Sequence, residues 1–116
     1  MLESVLAKKS LEFSVELVEF YKWLYYEKKE LVMSKQVLRS GTSIGANVHE
    51  ANYGISKADF IAKMQIALKE CAETEYWFEV LKRTGYMGDE YIRLIEQNEE
   101  LKKMLISTLK TSKRIG

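Results

Sequence analysis

Residues 39–54 read RSGTSIGANVHEANYG, with two glycines four apart, Gly41 and Gly45, in a stretch otherwise patterned as a helix. Each glycine lowers helix stability by roughly 1 kcal/mol relative to alanine. Placed roughly 100° apart around an axis, Val37, Gly41, Ile44, Gly45, Val48 and Ala51 fall on one side. Gln36, Arg39, Ser43, Asn47 and Glu50 fall within a sector of about 80° on another. The apolar face is small, and its glycines remove bulk where another helix can approach closely. Small-xxx-small spacing has this use in membranes, and the geometry also holds in water. Local accommodation of a bulky neighbour such as Phe20 or Phe78 would use the same two positions. A phosphate loop is excluded, because no Lys-Ser/Thr pair follows and no strand precedes.

Working outward, the segment before this one is also helical. Leu6, Phe13, Leu17, Phe20, Tyr21 and Leu24 recur at spacings of three, four and seven, while Leu11, Val15, Val18 and Tyr25 make a second apolar strip beside them. After the YGIS turn, Ser56 and Asp59 resemble a capping box with Asp in place of Glu. Phe60, Met64, Ala67, Leu68, Cys71, Phe78 and Leu81 then mark one face of a third helix. Gly85, preceded by Lys82 and Arg83, suits the left-handed residue that ends it. Tyr91, Leu94, Ile95, Leu101, Leu105 and Leu109 carry a fourth. The expected helices cover about 2–28, 32–52, 57–84 and 89–113. Short connections make successive helices antiparallel neighbours, so the expected fold is all-α, an antiparallel up-down-up-down four-helix bundle in a single domain, 1–116.

Composition agrees. The 116 residues include no proline and six glycines, as long uninterrupted helices require. Lys plus Arg number 18 against 17 Asp plus Glu, which by composition alone excludes a strongly basic nucleic-acid binder. The lone cysteine, Cys71, precludes an intrachain disulfide and suits a reducing compartment. No apolar run approaches the roughly 20 residues that span a bilayer. MLESVLAKKS has no signal-peptide core, so a cytoplasmic protein with no membrane partner is expected.

Chemistry-bearing residues are sparse. His49-Glu50 begins like a zinc-protease motif, but Tyr53 stands where the second histidine belongs, and His49 is the only histidine. The Glu-x-x-His spacing of bundle di-iron sites is missing, so neither a metal nor any other cofactor is expected. Cys71 lies on the core stripe as a small hydrophobe rather than a nucleophile. No acid–base pair or triad stands out, and the expected protein is not an enzyme.

Arg39, Ser43, Asn47 and Glu50 form a polar stripe, and Glu73 or Glu75 is a candidate partner for Arg39. Such a stripe suits a structural polar seam between helices or subunits, since Ser and Asn are poor choices for a solvated helix face. A solvated face and a ligand site remain open. Between Gly88 and Glu100 stand five acids and one arginine; between Leu101 and Gly116, five bases and no acid. Helix-dipole complementation accounts for that asymmetry. In an up-down bundle, however, Lys8, Lys9, Lys57, Lys110, Lys113 and Arg114 would gather at one end, and a cyclic oligomer would repeat that end around one rim. The rim is the candidate RNA- or DNA-binding site. Trp23, Tyr25, Tyr26, Tyr76, Trp77 and Val80 exceed what one core easily hides and form the candidate oligomer interface, unless the bundle ends absorb them.

LRSGTSIGANVHEA, followed by SKADFIAKMQIALKECAETEYWFEVLKRTGYM, resembles the four-helix-bundle family encoded in intervening sequences of bacterial 23S ribosomal RNA genes. The resemblance covers nearly the whole chain and is strongest at Arg39, Ser43, Ile44, Asn47 and Glu50, then at Ser56, Phe60, Ala67, Glu73 and KRTGY. Ala51, where the family often has glycine, and Gly41, where it more often has alanine, depart from the pattern. The resemblance implies a cyclic homo-oligomer, expected to be a pentameric barrel. It also implies kinship with the accessory variability protein of diversity-generating retroelements, which acts by binding nucleic acid and a reverse transcriptase. It supplies no biochemical activity. Two functions fit: an oligomeric scaffold that engages nucleic acid or a nucleoprotein partner through a basic rim, or a structural, protein-interaction oligomer whose charges only solvate it.

Overall fold

Each apolar period is realised as helix in the computed structural model, which describes residues 2–115, with side chains described for residues 5–113. Helix α1 (Leu2–Lys22) passes into one π-helical turn, Trp23–Glu27, and α2 covers Met33–Ala51. Helix α3 covers Lys57–Arg83, and a short 3-10 turn, Asp89–Tyr91, leads into α4 (Ile92–Ile115). No strand occurs among the described residues.

Cross-helix pairs give the directions. Lys9 on α1 meets Glu100 on α4, whereas Glu16, two turns later, meets Arg93. Arg39 meets Glu73, and Glu50 meets Lys63, so α2 and α3 are antiparallel as well. Each helix packs on the next and α4 packs back on α1, which leaves α1 and α3 on diagonal corners of a rod 47 × 21 × 19 Å. Phe13, Phe20 and Phe78 meet near edge-on at the centre, with ring centroids 6.4 Å apart. Each such ring, fully buried, is worth about 1.5–3 kcal/mol.

The ends of the helices are set locally. Ser56 Oγ accepts the Asp59 N–H at 3.0 Å and starts α3. Gly85 takes φ +85°, and the Tyr86 N–H donates to the Leu81 carbonyl at 2.9 Å, closing α3 in a Schellman turn. Helix α2 opens differently: Val32 offers no capping side chain, and the buried carboxylate of Glu30 accepts the Ser34 N–H at 2.7 Å. Periodicity predicts that α1 continues as α-helix to Lys28. Instead the Lys28 N–H reaches the Trp23 carbonyl, five residues back, at 3.1 Å. This wide turn offsets the residues that follow around the helix axis. Lys29 then reverses the chain in a left-handed conformation, φ +59°.

The glycine pair sits against α1. A Cβ on Gly41 would collide with Leu17 Cδ2, and one on Gly45 would lie 3.2 Å from the Ser10 carbonyl oxygen. Phe13 and Leu17 crowd Gly41, in place of the Phe20 or Phe78 considered from sequence.

Candidate functional site

Three surfaces hold the residues singled out by sequence. The first is the polar seam. Arg39 Nη1 donates to Glu70 Oε2 at 3.2 Å and Nη2 donates to Glu73, while the Trp77 indole N–H donates to the same Glu73 oxygen at 3.1 Å. The hydrogen bond from Arg39 and the one from Trp77 hold the Glu73 carboxyl below the usual carboxylate range, and Glu73 in turn raises the Arg39 guanidinium. Glu75 turns away to Lys102 on α4, at 3.0 Å. At the far end of the stripe, Glu50 meets Lys63 at 3.0 Å. Between them, Ser43 and Asn47 do not bridge helices: Ser43 Oγ donates to the Arg39 carbonyl at 2.7 Å, and Asn47 Nδ2 donates to the Ser43 carbonyl at 2.8 Å. Short polar side chains reach their own helix backbone more easily than a neighbouring helix. The stripe is therefore an ion-paired seam only at its two ends, and Ser43 and Asn47 are corrected to intrahelical bonds.

Two polar contacts that periodicity missed lie deeper. Ser40 and Thr74 hydroxyls meet at 2.8 Å between α2 and α3, both buried. Asn98 Nδ2 donates to the Cys71 carbonyl at 3.1 Å across α3 and α4. Ser40 borders the apolar arc of α2, a signal available in sequence; Asn98 on α4 gave none, because its partner is backbone. Burial pushes the Cys71 thiol up to about 12. No group of three or more His, Cys, Asp or Glu among the described residues is placed to hold a metal ion.

The second surface is the end of the rod where α1 and α3 begin and α2 and α4 finish. Lys8, Lys57, Lys110 and Lys113 are exposed there, and no ion pair holds them among the described residues. Lys9 is a correction: it points along the wall between α1 and α4 and pairs with Glu100 at 3.2 Å, one residue's rotation away from Lys8. The Arg114 side chain lies outside the described residues.

The third comprises exposed apolar groups. The aromatic set expected to form an interface is divided. Trp23 stacks on Phe20 and meets Tyr91 with centroids 4.8 Å apart, so the bundle end absorbs it. Tyr25 and Tyr26 stay at the end of α1, whereas Tyr76, Trp77 and Val80 lie on α3, at the diagonal corner. The other five are thus shared between the end of α1 and α3. The widest exposed aliphatic strip is on α1: Leu11, Val15 and Val18, the first 65% and the second 59% exposed. Leu11 also borders a mostly apolar groove of about 670 Å³ between α1 and α2, floored by Ala7, Gly45 and Ala46. No helix is long and apolar enough among the described residues to cross a membrane.

Comparison with known proteins matches this architecture. No curated protein matches the chain. Among solved structures, a crystal structure of a protein of unknown function from the S23 ribosomal protein family of Bacteroides thetaiotaomicron VPI-5482 superposes with a TM-score of 0.92. The two share 55% sequence identity, over 95% of this chain and 99% of that one. The family model described as 23S rRNA-intervening sequence protein matches residues 3–107. A match over that span, on a bundle whose glycines, seam and caps all lie within it, means that the chain belongs to the 23S rRNA-intervening sequence protein family.

Proposed function

We propose that the protein is a non-catalytic, cytoplasmic, self-associating bundle that engages RNA or DNA, alone or within a nucleoprotein partner, through its basic end. The observation that carries this is the set of Lys8, Lys57, Lys110 and Lys113, exposed and unpaired among the described residues, at one end of a chain of balanced charge. Contact with phosphates releases condensed counterions, and a lysine held in an ion pair gains less from it. The kinship that the family resemblance implies, with the accessory variability protein of diversity-generating retroelements, favours the same function.

Self-association supplies the multiplicity. A ring is built from heterologous contacts, in which two different faces of each copy meet. The α1 strip of Leu11, Val15 and Val18 and the α3 corner of Tyr76, Trp77 and Val80 are two such faces, on opposite sides of the rod. Five copies in a closed ring would set twenty of these lysines, about four per copy, on one rim. The function proposed needs no cofactor.

Electrophoretic retardation of RNA and duplex DNA across a salt series tests the proposal. Binding should weaken steeply with salt, and Lys110→Glu with Lys113→Glu should abolish most duplex binding and flatten its slope. Unchanged retardation by that double variant would overturn the assignment to the basic end, and no retardation by the parent protein would leave the second function, a structural oligomer with no nucleic-acid role, for which the α1 strip is sufficient.

A further inference from the structure

The opposite end of the rod carries a surface of different construction. There the π turn WLYYE, residues 23–27, runs directly into Lys28 and Lys29. Leu24 is buried and Trp23 packs on Phe20 and Tyr91, so the core accounts for both. It does not account for the two tyrosines. Tyr26 is 61% exposed, its ring meets Tyr25 near edge-on at 4.9 Å, and Tyr25 lies 5.4 Å from Tyr21. Lysines share this end of the rod with the rings. Lys35, from the start of α2, holds its ammonium 5.5 Å from the Tyr25 ring centre. Lys22 is one turn before Tyr26 on the same face, and the left-handed backbone of Lys29 puts a further exposed ammonium on the connecting loop. Acids nearby are occupied or few: Glu30 is turned inward onto the Ser34 N–H, Glu19 makes an exposed contact with Lys22 at 3.6 Å, and Glu27 is exposed.

We propose that Tyr25 and Tyr26, with Lys29 and Lys35, form a platform for single-stranded nucleic acid, with bases on the tyrosine rings and phosphates on the lysines. Single strands are bound without sequence preference where exposed aromatic faces alternate with cations, because every base has a π-face and every linkage a charge. A duplex hides its base faces and offers only phosphates, so the platform discriminates between the two. Exposed Leu31 and Val32 follow in the chain and would also suit an anionic membrane, but the groups between the lysines are aromatic rings, one of which, Tyr25, already has a cation packed against it. This inference does not rest on the basic end described above, since its residues are at the other end of a 47 Å rod.

The test uses the full chain with a fluorescein-labelled oligouridylate, the matching blunt RNA duplex, and phosphatidylserine vesicles. The oligouridylate should bind more tightly than the duplex and quench the intrinsic fluorescence of the unmodified protein. Tyr26→Ala should weaken oligouridylate binding about tenfold, the size of one lost stacked base, while Tyr26→Phe retains it. Lys29→Glu with Lys35→Glu should reduce both affinity and salt slope. Lys110→Glu with Lys113→Glu should leave the single-strand preference intact, which separates this platform from the basic end. Absence of quenching, equal losses for single strand and duplex in Tyr26→Ala, or a requirement for Tyr26 on vesicles but not on oligouridylate would each overturn the proposal.

Discussion

Gly41 shows how one missing methyl sets the distance between two helices. Alanine there would recover about 1 kcal/mol of helix propensity. It would also drive its Cβ into Leu17, a side chain with no exposed surface and little room to turn. Overpacking of this kind costs about 1–3 kcal/mol. Gly41→Ala is therefore expected to lower stability in urea unfolding by up to about 2 kcal/mol. Leu17→Val, which shortens the offending branch, should make the double variant more stable than the sum of the single effects, because the two sites are in contact. Glu73 gives a pH-dependent expectation. Its folded carboxyl is held below the ordinary value by Arg39 and then Trp77, so its contribution is complete above the ordinary carboxylate range and is lost as pH falls through the folded value. With Arg39 50% and Glu73 34% exposed, screening limits that contribution to about 1 kcal/mol or less. The stability difference between the parent and Glu73→Gln should thus be largest near neutrality and vanish in acid, as read by urea titrations at several pH values.

At the scale of an element, the start of α2 depends on a residue outside it. Glu30 is 9% exposed and its carboxylate receives the Ser34 N–H where Val32 has no cap to offer. Removing the acceptor leaves a buried donor unsatisfied, so Glu30→Ala should destabilise the protein by about 1–3 kcal/mol in thermal or urea unfolding. Gln at this position, which retains an oxygen acceptor, should lose less. The preceding residue is strained in the opposite sense. A lysine at φ +59° holds a conformation natural to glycine, and Lys29→Gly should raise stability by about 0.5–1 kcal/mol, less whatever the more flexible unfolded chain takes back. The end of α3 has the residue such a turn favours, Gly85, and no comparable gain is available there.

For the molecule as a whole, the issue is what covers α1. Leu11, Val15 and Val18 form an exposed aliphatic strip along α1. Such strips rarely remain wet on a protein without a partner. If the proposed self-association uses this strip, the parent should run as an oligomer in light scattering coupled to size exclusion and Leu11→Glu with Val15→Glu as a monomer, with helicity by circular dichroism unchanged. Neither residue contributes to the core, so a monomer that keeps its fold is the expected product.

How much was legible in the sequence follows from the range of the interactions. Helix positions, the antiparallel order, the Ser56 and Gly85 ends and the small face of α2 depend on residues within a few turns of one another, and a period of 3.6 exposes them to reading. Arg39 with Glu73 or Glu75 was within reach once α2 and α3 were antiparallel neighbours, and only the structure chose between the two. The widened turn at Trp23, the left-handed Lys29 and the inward Glu30 were not, because each is decided by how the end of α1 must fit against α2 and α4. The same holds for Ser43 and Asn47, whose choice between a neighbouring helix and their own backbone is a matter of ångströms. Sequence by itself determined which faces are apolar and therefore that four helices pack. Only the tertiary structure decided which surplus apolar and charged groups share a surface: the bundle end takes in Trp23 against Phe20 and Tyr91, Glu100 draws Lys9 away from Lys8, and the π turn sets Tyr25 beside Lys35 of the next helix.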